Sequence, residues 1–357
     1  MKRLTFILGI LASLSALAQS SVQPSSQNNG YEIKVSFKPF KNQYIYLGHY
    51  FGKQYPIIDS VKLDANSQAV FKGNTKLPGG IYLVGYPNKA GFFEILIDKE
   101  QHFSVLADTA TLKKGLDFRN SDDNVLFNAY QRFMSEKGKK IQEARQQLNN
   151  SRTATDSAKW TKVLTENDRE VRTYREEFIK NHPSNILTAL LLAMREPEIP
   201  AQWKSPKNRE DSLKAYYYFK NHFWDGVNFW DGRLAYTTFF EEKLDKYINE
   251  LMVPDPDSVI REIDGMMAYA GINDEMNRFL LLKFLNRYLN QKYMWEDKVF
   301  VHLFEKYFAQ KNYSWLTEYG RKTITDRAYS LMANIMGTAA SDIELPDTSG
   351  IIKALYA

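Results

Sequence analysis

The chain has 357 residues, 44% apolar and 25% charged, a balance that excludes large-scale disorder and allows more than one compact domain. Its formal charge of +5 gives little reason to expect a polyanion partner. It holds no cysteine, which excludes thiol chemistry, thiolate metal sites, disulfides and a lipid-modified cysteine within this chain.

The first residues, MKRLTFILGILASLSALAQS, have the three parts of an export signal. Lys2 and Arg3 form the basic start, and residues 4–14 an apolar stretch too short for a permanent membrane span. Ala16 and Ala18 form an A-x-A cleavage site. Removal of residues 1–18 is expected to leave an exported protein, periplasmic or in the cell envelope, without a transmembrane anchor. Residues 19–30 are a polar spacer.

From 31 to 119 the apolar residues alternate with period two. YEIKVSFK, QYIYLGHYF, QAVFKG, GIYLVGY, FFEILID and HFSVLA are separated by turn-forming clusters such as DANS, LPGG and PNKAG. This spacing predicts an antiparallel sandwich or barrel-like domain of about seven to eight strands. Beyond Asn120 the period becomes helical. Leu126, Tyr130, Phe133, Ile141, Ala144 and Leu148 recur at three- and four-residue steps, then Trp160, Leu164, Val171, Tyr174 and Phe178. The pair predicts a long helical hairpin turning at NNSRTATDS. Ser184 is the expected cap of the next helix, which Pro197 and Pro200 end. Further helices are expected near 208–224, 237–252, 257–270, 274–292, 296–310 and 314–335. The fold class is therefore α+β and multidomain, with an all-α domain over 121–336 behind the β-domain.

No catalytic constellation stands out. The five histidines, His49, His102, His182, His222 and His302, lie in no zinc-site spacing. His302 and Glu305 are one helical turn apart, but a second such pair is missing, so a surface hydrogen bond is the better reading. Lys137, Lys139 and Lys140, with Arg132, Arg145 and Arg152, are interleaved with Glu136 and Glu143 and read as a solvated face rather than a nucleic-acid surface. The adjacent carboxylates Glu176-Glu177 and Glu241-Glu242 do not share a helix face and so cannot pair as acid and base. Five Asp-Ser/Thr-aliphatic tripeptides resemble an acceptor pattern for O-glycosylation, but Asp-Ser is also an ordinary helix start.

The most unusual stretch is HFWDGVNFWDGRLAYTTFFEEKLDKYI, where residues 223–226 and 229–232 both read Phe-Trp-Asp-Gly. Trp224, Phe229 and Trp230 are candidates for an aromatic platform that holds a sugar or a peptide. The competing reading, to which we give more weight, is that these rings pack on the helical core while each Asp-Gly turns the chain.

NGYEIKVSFKPFKNQYIYLGHYFGKQYPIIDSVKLD and GGIYLVGYPNKAGFFEILID resemble the small β-domain of unassigned function that begins exported thioredoxin-like proteins of Bacteroidota. NHFWDGVNFWDGRL, FFEEKLDKYI and KVFVHLFEKYF are similar to the uncharacterised helical domain that follows it there. The last residues resemble the opening of thiol-disulfide oxidoreductases of the TlpA and peroxiredoxin-like type. Gly337, Ala340, Asp342, Ile343, Leu345, Asp347 and Gly350 match that opening, while Ser341 stands where the family usually has proline.

The resemblance implies an accessory, positioning region of a periplasmic thioredoxin-like oxidoreductase concerned with cell redox homeostasis. Residues 337–357 would be the incomplete start of the truncated catalytic domain and would fray. The Cys-x-x-Cys site is missing here, so no residue inherits a catalytic role and no enzyme activity or cofactor is expected of this chain. The alternative is a stand-alone exported module that binds a glycan or a peptide. Either reading expects a protein, peptide or glycan partner in the cell envelope and no nucleic acid; the oligomeric state stays open.

Overall fold

A computed structural model describes residues 30–112, 115–309, 311–332, 334–335 and 342–354. Ala16 and Ala18 of the expected cleavage site, and Gly337 and Ala340 of the thioredoxin-like opening, lie outside the described residues.

Eight strands build the N-terminal part: β1 Tyr31–Lys38, β2 Tyr44–His49, β3 Ile57–Lys62, β4 Gln68–Gly73, β5 Gly80–Gly85, β6 Phe92–Ile97, β7 His102–Asp108 and β8 Asp117–Arg119. They form two four-stranded sheets, ordered β4-β1-β7-β8 and β3-β2-β5-β6. Alternation in β1 sends Ile33, Val35 and Phe37 inward and Lys34 and Lys38 to water. Phe37 meets Phe93 of the other sheet edge to face, with centroids 5.3 Å apart, so the inner faces share one core.

One expectation fails. The domain is not wholly antiparallel, because β1 pairs in parallel with β7 from Glu32↔His102 to Lys38↔Asp108. Alternation records which face of a strand is buried and carries no information about the direction of its neighbour.

Ser121 caps α1, Asp122–Asn150, which runs antiparallel to α2, Ala154–Asn181, capped in turn by Thr153. Two asparagines one turn apart fasten α1 to both sheets. Asn124 accepts from the Leu96 N–H at 2.7 Å and donates to the Leu96 carbonyl at 2.7 Å. Asn128 does the same to Leu116, at 3.2 and 2.8 Å. Each amide stands in for a strand neighbour along a backbone edge. In the hairpin, Phe133 stacks on Tyr174 with centroids 4.1 Å apart. Lys137 leaves the basic face altogether: it is buried and ion-paired with Glu170.

The remaining helices are α3 Ile186–Ala193, α4 Arg209–His222, α5 Thr238–Lys246, α6 Pro256–Ala270, α7 Asp274–Leu289, α8 Glu296–Leu303 and α9 Glu318–Met332. Helices α5 and α8 continue into π-helical segments, Tyr247–Leu251 and Phe304–Phe308. The cap of α3 is Asn185 rather than Ser184. Its Oδ1 accepts from Leu187 N at 2.7 Å while its Nδ2 donates to Asp123 at 2.6 Å, a tie to α1 that Ser184 does not make. Among the described residues no helix is long and apolar enough to cross a membrane.

Within residues 342–354, part of the segment expected to fray, regular structure is present. Strands β9, Glu344–Pro346, and β10, Ile352–Ala354, pair as an antiparallel hairpin. Asp347 closes it by accepting from the Ser349 hydroxyl, Ser349 N and Ile351 N; the hydroxyl, Lys353 at 3.1 Å and the two N–H groups hold its carboxyl at about 2, well below the usual range. Gly350 supplies the left-handed backbone, at φ +81°.

Candidate functional site

The two Phe-Trp-Asp-Gly units do different work. In the first, Phe223 is fully buried at the end of α4 and packs on Trp224 and Tyr247, at centroid distances of 5.0 and 5.4 Å. Gly226 turns the chain at φ +80°, and a Cβ there would come within 2.8 Å of the Leu192 carbonyl oxygen, so only glycine fits. Lys243 lies beneath this aromatic group. Its Nζ donates to the carbonyls of Ala193 and Arg195, at 2.9 and 2.6 Å, and sits 5.0 Å from the Phe223 ring centroid. Burial pushes this ammonium down to about 8.

The second unit fastens the helical part to the sandwich. Asp231 caps a 3-10 turn, Gly232–Tyr236, and grips Arg233 with both carboxylate oxygens, at 2.8 and 2.7 Å. Arg233 also reaches Asp98 just beyond β6, at 3.1 Å. The next residues press into the sheet: Tyr236 stacks on Tyr82, packs on His49 and donates to Glu275 at 2.6 Å. Burial lowers the pKa of His49 and raises that of the Tyr236 phenol. A turn of the β-domain then meets α5, with Gly52 N on the Ala235 carbonyl and Lys53 N on Glu241. Lys53 and Lys283 share Asp245, and Lys283 also holds Glu241. Glu241 is thus a structural anchor.

Beside the first unit lies a cavity of about 490 Å³, walled by Trp224, Phe229, Trp230, Tyr247, Glu262 and Tyr269. The sequence named three of these, Trp224, Phe229 and Trp230, and the fold brings them to one place. Trp224 and Phe229 pack edge to face at 5.0 Å, which agrees with the packing interpretation, and Phe229 is buried. Trp230 is different. It is 48% exposed and lies 6.2 Å from Tyr269, itself 57% exposed.

Glu262, Gly265 and Tyr269, all on α6, were not anticipated. The one available signal was Gly265, a glycine inside an otherwise sound helix. A Cβ on Gly265 would meet nothing within 4 Å.

Two polar atoms of the wall, Trp224 Nε1 and Glu262 Oε2, are buried and make no well-formed hydrogen bond, and the Tyr247 phenol lies beside both. Glu262 Oε1 is paired with Lys220 at 2.8 Å. Burial, with Glu262 beside it, raises the pKa of the Tyr247 phenol.

A larger cleft, about 800 Å³, lies between β6 and α1. Of its two lining carboxylates, Glu94 accepts from Tyr50 through one oxygen and Gln131 through the other, and Glu136 is paired with Lys140. Among the described residues no group of three or more histidine, aspartate or glutamate side chains could hold a metal. His302 bonds Asp264 at 2.9 Å rather than Glu305. Of the Asp-Ser/Thr tripeptides, Asp156, Asp211 and Asp257 sit in the first turns of α2, α4 and α6.

Two family models match the chain. Residues 31–144 match a domain of unknown function (DUF4369) and residues 135–332 a second domain of unknown function (DUF5106). No curated protein and no solved structure matches. The second model spans more than half of the chain, which therefore belongs to the family of the domain of unknown function (DUF5106).

Proposed function

We propose that this chain is the accessory region of an exported thioredoxin-like thiol-disulfide oxidoreductase, positioning that module in the periplasm or cell envelope. The hairpin at 342–354 carries the reading. Leu345, Asp347 and Gly350, matched on sequence to the opening of such a domain, make its strand and its turn. Ile343, Leu345, Ile351 and Ile352 on it are all more than half exposed. A two-stranded hairpin with apolar flanks gains stability when a larger sheet covers it, and a thioredoxin-like sheet is the cover this reading supplies. Thiol exchange then belongs to that sheet, and the cysteine-free chain holds and orients it.

The test uses protein purified from the cells that make it, by intact mass and by reduction of insulin disulfides. Expected are a mass larger than residues 19–357 by a thioredoxin-like domain, and turnover by that protein with none from residues 19–357 alone. A mass equal to residues 19–357, with no exchange activity, would overturn the reading.

A second reading, a module that binds a glycan or a peptide, is favoured by one observation. The cavity beside Trp224 combines exposed aromatic rings with a buried donor and a buried acceptor that make no well-formed hydrogen bond.

A further inference from the structure

The binding-module reading leaves the class of ligand open, and the chemistry of the cavity narrows it. Three features of the wall bear on the choice. The rim is made of two broad, exposed rings, Trp230 and Tyr269, set at 52° to one another. Behind them one donor and one acceptor, Trp224 Nε1 and Glu262 Oε2, lack a well-formed hydrogen bond, with the Tyr247 hydroxyl beside both. A buried donor or acceptor without a good partner is costly, so a ligand hydroxyl that improves either bond is favoured. The third feature is charge. Glu262 is already offset by Lys220, and Arg261 also lines the cavity, so the wall has no spare negative charge with which to select a cation.

Gly265 adds a further constraint. Glycine inside a helix is destabilising relative to alanine, and it is commonly kept where another backbone approaches closely. No atom approaches Gly265 within 4 Å of where its Cβ would stand. Its small size instead leaves the floor of the cavity open between Glu262 and Tyr269.

We infer that this cavity binds a neutral saccharide, the C–H face of one pyranose lying on Trp230 with its edge toward Tyr269, and its hydroxyls directed to the polar group formed by Tyr247, Glu262 and Trp224. A pyranose suits the wall on both counts. Its C–H face is apolar and flat enough to cover an aromatic ring, and each hydroxyl both donates and accepts. A few fixed polar groups inside an aromatic wall orient such a ligand. The inference deepens the binding-module reading and is independent of any thiol chemistry.

The experiment is a tryptophan-fluorescence titration of the whole chain with neutral hexasaccharides, namely cellohexaose, chitohexaose and α-1,6-mannohexaose, beside proline-rich and aromatic hexapeptides. A saturable change with at least one saccharide is expected. Trp230→Ala, at an exposed position, should weaken it by about tenfold or more. Gly265→Leu should fill the floor without a clash and abolish the change, with the melting temperature at or above that of the wild type. Glu262→Gln should weaken binding while the fold persists.

Saturation by peptides alone would overturn the saccharide class and keep the binding module. Silence from both panels would overturn both. Binding unaffected by Gly265→Leu and Trp230→Ala would place the ligand elsewhere and overturn the assignment of the cavity.

Discussion

Lys243 is a cation held where cations are costly. Its two carbonyl partners lie at the end of α3, where helix carbonyls lack intrahelical donors, so the side chain closes that end from a distance in sequence. Replacement by methionine keeps the bulk and leaves both carbonyls unpaired, a loss of about 2 kcal/mol at pH 7. The pH dependence has a definite sign. With the folded pKa down at about 8, below the ordinary 10.5, the unfolded chain binds more protons between those values, and stability rises with pH there. The deficit of Lys243→Met relative to wild type should therefore grow by about 1 kcal/mol between pH 7 and pH 9. Urea midpoints at the two pH values measure it, and a deficit that shrinks with pH would contradict the shift.

At the scale of the elements, α1 ties the sandwich to the helices through two asparagines. Asn124 is fully buried and satisfies both backbone groups of Leu96. Asn124→Ala strands a donor and an acceptor together and should cost about 3 kcal/mol in chemical denaturation, more than Asn128→Ala at its less buried site. The strands and helices themselves were legible from periodicity, because burial of one face imposes a period of two or of about 3.6. The asparagine clamps were not, since Asn in a helix looks unfavourable until its distant backbone partner is known. The π-helical ends of α5 and α8 also escaped, as did the parallel β1–β7 pair, because both depend on how neighbouring elements pack. The two Phe-Trp-Asp-Gly units were visible as a pair, and their division of labour was not. Nearly identical residues meet the Leu192 carbonyl in one case, and in the other Asn273, whose Oδ1 would lie 2.3 Å from a Cβ at Gly232.

At the scale of the molecule, sandwich and helices are joined by a polar and aromatic seam that runs through Arg233, Tyr236 and Glu241. All six tryptophans belong to the helical part, at positions 160, 203, 224, 230, 295 and 315, so their fluorescence reports on that part alone. In wild type, fluorescence and amide-exchange protection of β1 should be lost together in urea. Arg233→Ala removes the residue that bridges Asp98 and Asp231, which are largely buried. The two probes should then separate, the sandwich and the helices melting at different concentrations; coincident curves would show the seam to be dispensable for cooperativity.

The two family matches overlap over residues 135–144, inside α1. Helix α1 is at once the clasp of the sandwich and the first arm of the helical hairpin. A gene fragment ending at Asn120 would deprive Leu96 and Leu116 of their amide partners, and one beginning there would take the clasp away with the helices. Dissection or transplantation of either part must carry α1 along, so a portable sandwich extends to about residue 150 and competes with the helical part for one shared segment.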